Sequence, residues 1–380
     1  MNNPLLTDDL LPKFDHIRTE HMETAIDQIL SENRMKIASL AQNEDPDWTT
    51  LAQPMQELED NLSNAWSVIS HLNGVMNSDE LRKVYKSCLE KLTEYSTELS
   101  QNEALCNAYK KLAAREDFNE LSEAQRKSVE NTLRDFHLGG VDLPEDKKKQ
   151  YAELSRELAE LSNRFSDNVL DATQHWFKHI TDGDELAGLP ESAIEGARQA
   201  AGQKELDGYV ITLDFPSFFP VMTYGDNRDL RREVYEAFVT RASDMGPDAG
   251  TWDNTQVMAE ILKRRHALAQ LLGFDNYAER SLATKMARST DEVLDFLNQL
   301  AEKSRPQAEK EFAELQAFAR DEHGVDDLQA WDIGYYSEKL RQQRYDISPE
   351  TLRPWFPVDK VVPGLFQVAE KLFDVQIEAK

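Results

Sequence analysis

The sequence predicts a mainly α-helical protein with one short β-hairpin. Apolar residues recur at helical spacing through most of its 380 residues, while strand-like composition is confined to one stretch. Glycine and proline are scarce, at 15 and 14. A sandwich or barrel turns about every 8–12 residues and would need more of both. Hydrophobic residues, at 40%, supply a large core, and the length suggests two or three domains.

Met22, Ile26, Ile29, Ile37 and Leu40 share one helical face, as do Met55, Leu58, Leu62, Ile69 and Leu72. A third helix starts after Asn77-Ser78, either of which can cap it. Asp79 and Glu80 in its first turn complement the helix dipole, and Leu81, Tyr85, Leu89 and Leu92 form its stripe. Leu143-Pro144-Glu145 opens a long helix. Its stripe of Tyr151, Leu154, Leu158, Leu161, Phe165, Val169 and Leu170 reaches about Trp176. Glu153, Arg156, Glu157, Glu160 and Arg164 mix signs on its other face, as a solvated face does.

The period then changes. Gly208–Asp214 is rich in β-branched and aromatic residues, and Val221–Tyr224 follows after Phe215-Pro216-Ser217. Together they predict a hairpin near 208–224. Helices resume over Asn227–Arg241, Asn254–Leu272, Thr290–Asp321 and Trp331–Tyr345, with loops at Ser243–Asn254 and Ser348–Pro363. Gly364–Phe373 reads as a helix and Asp374–Ala379 as a strand without a partner. A lone strand leaves backbone groups unsatisfied unless it joins a sheet, so the chain is expected to stop before its fold is complete. No repeat of fixed period is present.

Lys and Arg number 43 against 70 Asp and Glu, a formal charge of −27. Such a field repels phosphate backbones and anionic membrane surfaces, so neither nucleic acid nor membrane is an expected partner. Two cysteines, Cys88 and Cys106, are too few for a Cys₄ zinc site or a disulfide scaffold and read as reduced core thiols. The N-terminus lacks a basic stretch followed by an apolar one, and no apolar run approaches the ~18 residues of a membrane span. A cytoplasmic protein is expected.

Of the eight histidines, only His175 and His179 have metal spacing. On one helix, residues i and i+4 share a face and could grip one zinc ion. The H-E-x-x-H pattern, however, requires Glu where Trp176 stands, and no third ligand is marked, so a solvent-facing helix end is the preferred reading. His16 and His21 read as surface or capping residues. Nucleophile and nucleotide-binding motifs are absent from the sequence. Asp244, Asp248 and Asp253 do not follow calcium-loop spacing and read as part of a capped loop. Aromatics gather at Phe215, Phe218, Phe219 and Tyr224, and at Trp331, Tyr335, Tyr336, Trp355 and Phe356. They could line a peptide groove, but a core role is preferred. None of these residues is assigned as catalytic, metal-binding or cofactor-binding.

Nine segments then matter by their order. They are Leu11–His21, Ser70–Arg82, Phe165–Thr173, Gly208–Ser217, Pro220–Tyr224, Thr240–Asp244, Leu268–Ala278, Leu282–Ala287 and Trp331–Lys339. In this order they resemble the N-terminal part of the oligopeptidase A type of zinc metallopeptidase, in the thimet oligopeptidase and neurolysin family. The resemblance implies a zincin-like, two-lobed architecture in which two largely helical domains flank a deep, narrow channel. It implies one zinc ion held by two His and one Glu, with the Glu of an H-E-F-G-H motif activating the bound water. Family members look nearly twice as long, and that motif lies in their C-terminal part. This sequence contains no H-E-x-x-H, so no catalytic or zinc residue carries over, and His175 and His179 are not those ligands.

The implied layout is 1–140 as the N-terminal helical part of one channel wall, 141–330 as an inserted helical domain and 331–380 as the incomplete start of a catalytic domain. The implied function is the N-terminal portion of an oligopeptidase that hydrolyses short unstructured peptides, cleaved signal peptides among them. This chain would be monomeric, inactive alone and without its own zinc, the ligands lying beyond Lys380. An exposed half-channel and an unpaired strand predict poor solubility. The alternative is a non-catalytic helical peptide-binding or interaction protein that ends at Lys380. A plain helical scaffold without a ligand is the third reading.

Overall fold

The computed structural model describes residues 3–7, 11–346 and 352–378. In chain order its helices are α1 (Thr19–Leu40), α2 (Gln53–Val75), α3 (Asp79–Ser100), α4 (Glu103–Ala113), α5 (Glu123–Leu138), α6 (Glu145–His175), α7 (Glu191–Gln203), α8 (Phe215–Tyr224), α9 (Arg228–Val239), α10 (Thr255–Leu271), α11 (Tyr277–Leu282), α12 (Thr290–His323), α13 (Ala330–Tyr345) and α14 (Val358–Phe373). Among the described residues, the strands are β1 (Phe177–Ile180) and β2 (Tyr209–Thr212). The chain forms two units. One is Met1–Phe165 with Gln256–Asp295, and the other is Ser166–Thr255 with Phe296–Lys380. The fold is mainly α, as the helical spacing predicts.

In the first unit, α1 packs on α2, α3 and α4, and α4 packs on α5. Met22, Ile26, Leu30 and Ile37 of α1 enter one apolar cluster with Leu58, Ile69, Leu81, Leu105, Leu112 and Val129. Each helix contributes residues three or four apart, so one stripe per helix is covered. Cys88 and Cys106 are free and buried in this core. Burial pushes the Cys88 thiol up to about 11, which keeps it protonated and unreactive. The helix starts are closed by short polar side chains. Ser78 Oγ accepts from Leu81 N–H at 3.2 Å, and Asn102 Oδ1 accepts from Leu105 N–H at 2.9 Å. A π turn, Trp48–Ala52, leads into α2, and Asp47 Oδ1 accepts from Thr50 N–H at 2.7 Å ahead of it. The Arg264 guanidinium of α10 meets Glu157 of α6 at 2.7 Å.

In the second unit, β1 and β2 pair antiparallel, with Phe177 opposite Thr212 and Ile180 opposite Tyr209. The hairpin expected near 208–224 is therefore half right. Tyr209–Thr212 is a strand, but its partner lies upstream, and Phe215–Tyr224 is helix α8. Pro216 falls in the first helical turn, where a missing N–H costs nothing. Val221 and Met222 are buried and Phe218 packs beside them, a helical rather than alternating spacing. Gly208 enters β2 at φ +92°, and a Cβ there would stand 2.4 Å from the Ile180 carbonyl oxygen, so glycine sets the start of the ladder. Ile180, Leu186, Ile211, Val221, Leu230 and Val234 form the core beside this sheet. A second cluster joins Leu315, Phe318 and Ala319 of α12 to Tyr335 and Tyr336 of α13.

Three further readings change. The helix opened by Pro144 ends at His175, so His179 stands in β1 and the two imidazoles share no helix face. Residues 358–363, read as loop, are helical, because Pro357 sits just ahead of α14 where its ring does no harm; residues 348–351 lie outside the described residues. The segment 375–378 forms no strand, since none of the described residues offers it a ladder; Ala379 lies outside them. Instead Asp374 turns the chain at φ +51°, and Ile377 N–H donates to Glu370 Oε1 at 3.0 Å. Among the described residues, no helix is long and apolar enough to cross a membrane.

Candidate functional site

Asp332, in the first turn of α13, is fully buried, and so is Arg231 of α9 at 1% exposure. The Asp332 carboxylate closes its own helix by accepting from Gln329 N–H at 3.1 Å. It also takes Arg231 Nη2 at 2.8 Å and Arg228 Nη2 at 2.6 Å. Burial alone would raise its pKa. The hydrogen bonds from Arg228, Arg231 and the Gln329 N–H outweigh burial and hold it below the usual carboxylate range. Arg231 Nη1 donates to the Gly225 carbonyl at 2.6 Å, and its guanidinium lies 4.1 Å from the centre of the Tyr335 ring. Tyr335 Oη donates to Asp226 Oδ1 at 2.6 Å, and Lys339 Nζ reaches the same oxygen at 3.3 Å. Burial and the Asp226 charge push the Tyr335 phenol up.

Every carboxylate in this cluster stays ionised and every phenol neutral. The cluster is suited to fixing α9 against α13 rather than to moving protons. Arg231 Nε is buried without a partner among the described residues, so the brace is not fully satisfied there. Sequence reasoning misses it, because its members are 104 and 101 residues apart and each looks like an ordinary helical charge. The one local signal is Asp332 three residues after Gln329, a capping position.

The residues singled out from the sequence are scattered. The His175 ring lies 4.9 Å from that of Trp252, with Nε2 4.0 Å from Asp248 Oδ1. His179 Nε2 sits 2.6 Å from the Asp207 carbonyl oxygen. The pair does not fit a zinc site, being in different elements with these other neighbours. Among the described residues, no three His, Cys, Asp or Glu side chains are placed to hold a metal. His21 Nδ1 accepts from Arg18 N–H at 3.1 Å, a capping role, while His16 is exposed. Asp253 Oδ1 accepts from Thr255 N–H at 2.8 Å and closes the loop before α10. Phe218 stacks on Phe238 at 3.9 Å, and Tyr335 and Tyr336 are buried, so these aromatics are core. Phe215, Phe219, Trp355 and Phe356 are exposed.

Helix α14 presents the largest unanswered feature. Val358, Val361, Val362, Leu365, Phe366, Val368, Leu372 and Phe373 are all exposed, and no residue of the helix is buried. An amphipathic stripe of this width is built to be covered.

Residues 221–380 match peptidase family M3, and residues 26–148 match the neurolysin/thimet oligopeptidase N-terminal domain. The chain is 52% identical over 376 residues to oligopeptidase A of Escherichia coli (strain K12), covering 99% of this chain and 55% of that protein. The figures are the same for oligopeptidase A of Salmonella typhimurium. A probable cytosolic oligopeptidase A of Arabidopsis thaliana is 37% identical, with 99% of this chain and 54% of that protein covered. The chain spans about half the length of the curated relatives it matches.

Proposed function

Because this chain belongs to peptidase family M3, we propose that it is the N-terminal portion of a zinc-dependent oligopeptidase that hydrolyses short, unstructured peptides. Zinc would supply an activated water and polarise the scissile carbonyl. Its ligands and the general base are assigned to sequence beyond Lys380, and no residue of this chain is assigned a part in that step. Residues 1–140, 141–330 and 331–380 would form, in turn, part of one channel wall, an inserted helical domain and the start of the catalytic domain. A monomeric, cytoplasmic enzyme is proposed, with this chain inactive on its own.

The observation that carries this reading is the match over 99% of the chain to 55% of a relative. The uncovered apolar face of α14 supports it, as a seam on which the rest of the protein would pack. The test is the intact mass of the native protein from its source cells, together with cleavage of an internally quenched short peptide. A mass nearly twice 43.5 kDa, with cleavage lost to a zinc chelator and restored by zinc, is expected. A native mass near 43.5 kDa without cleavage would overturn the proposal in favour of a peptide-binding protein ending at Lys380.

A further inference from the structure

A cavity of about 520 Å³ opens among α2, α3, α4 and α5 in the first unit. Its walls carry four aromatic rings, those of Trp66, Tyr95, Tyr109 and Phe136. Lys, Arg and His are absent from its lining, whereas Glu59 and Asp135 belong to it. Asp135 is occupied by Arg134, whose Nε lies 2.9 Å from Oδ1. Glu59 has neither ion pair nor hydrogen bond among the described residues. Tyr95 already uses its hydroxyl to accept from Asn33. Tyr109 does not: it is 4% exposed, yet its hydroxyl has no partner among the described residues. The hydroxyl is not sealed from solvent but opens on the cavity, where a hydrogen-bonding occupant takes the place of water. Burial and the nearby Glu59 charge both push the Tyr109 phenol up, so it remains neutral and its oxygen can accept.

We propose that this cavity is a binding site for a small hydrophobic cation, an ammonium group on an aryl or short alkyl body. The ammonium donates to Tyr109 Oη and pairs with Glu59, and the aromatic rings attract it through their faces. The apolar body fills the remaining space, whose size is that of an ordinary small-molecule pocket. Anions are disfavoured by two carboxylates in the lining and a formal charge of −27. The site uses none of the residues braced around Asp332 and is independent of the peptidase reading.

Calorimetric titration of the 380-residue chain with 2-phenylethylammonium, and separately with uncharged 2-phenylethanol, tests the site. The ammonium is expected to bind one per chain, roughly tenfold tighter than the alcohol, as a charge-assisted contact provides. Glu59→Gln, a change at an exposed position, should abolish that preference. Tyr109→Phe should weaken the ammonium severalfold while leaving the core volume intact. Equal binding of the two probes, no binding of the ammonium at millimolar concentration, or an unchanged preference in Glu59→Gln would each overturn the proposal.

Discussion

The bundle α1–α5 and helix α14 carry the same kind of apolar repeat and end in opposite states. In the bundle the stripes close on one another: Ile26, Ile69, Leu105 and Val129 are all at 0% exposure. In α14 no residue of the stripe from Val358 to Phe373 is buried, and Leu365 is 62% exposed. A 16-residue helix is marginal in water on its own, because most helical stability comes from packing the apolar face. Periodicity therefore says which face must be covered and not what covers it. Between these extremes stands the α9–α13 contact, where a buried ion pair joins a ring contact of Tyr235 with Trp331.

That third mode gives the largest expected effect. Asp332→Ala removes the partner of a guanidinium with 1% exposure. An uncompensated buried charge costs roughly 3–5 kcal/mol, and urea unfolding would read it. If Asp332→Ala costs no more than an exposed substitution, the brace is ornamental and the second unit is held by its apolar clusters alone. The same carboxylate sets an acid limit. Its folded pKa is lowered, so its contribution is present above the unfolded value, about 3.9, and is lost as pH falls through the folded value. Stability measured from pH 6 downward should fall more steeply in the parent chain than in Asp332→Asn, which has no carboxylate to protonate there.

The bundle and α14 can be set directly against each other. Ile69→Ala empties a fully buried site and should cost about 2–5 kcal/mol. Leu365→Ala in α14 should change the stability of this chain by no more than about 0.5 kcal/mol. In a longer protein that covers α14, the Leu365→Ala cost should rise into the range of Ile69→Ala. Equal, small effects in both lengths would mean that the α14 face is never covered, and the seam assigned to it would be lost.

Much of the bundle is legible in the sequence, because an apolar period of 3.6 sustained over several turns matches a helix and cannot match the two-residue period of a strand. Met22 to Leu40, Met55 to Leu72 and the start after Ser78 all fall in helices, as that period predicts. The sheet is less legible for a physical reason. Tyr209–Thr212 shows its own strand character, but pairing is a property of two segments, and β1 is four residues long and follows directly on a helix tail. The nearest apolar stretch, Val221–Tyr224, competes as its partner, although Pro216 suits a helix start better than a ladder. Prolines mislead again at α14, where Pro357 and Pro363 read as loop. The brace around Asp332 has almost no local signature, since Arg228, Arg231 and Asp332 belong to two helices and meet only after folding. The His175–His179 spacing is a local signal of chemistry, and it dissolves because a helix end falls between the two residues.

The smallest effect sharpens the contrast at helix ends. Helix α3 begins with Ser78 Oγ accepting from Leu81 N–H at 3.2 Å, whereas α14 begins after Pro357 with no side-chain cap. Four N–H groups at a helix start lack intrahelical partners, and a serine cap satisfies one of them. Ser78→Ala should cost about 1 kcal/mol, and Ser78→Asp should restore it, because aspartate caps as well and its charge suits the dipole. Urea midpoints of the three chains, at equal slope, would measure this. Amide exchange should then separate the two helix starts: the first turn of α3 exchanges only with larger openings of the bundle, and that of α14 exchanges freely. If Ser78→Ala leaves both the midpoint and the α3 exchange unchanged, α3 is held by Leu81 and its neighbours in the core, and its cap is as dispensable as the one α14 lacks.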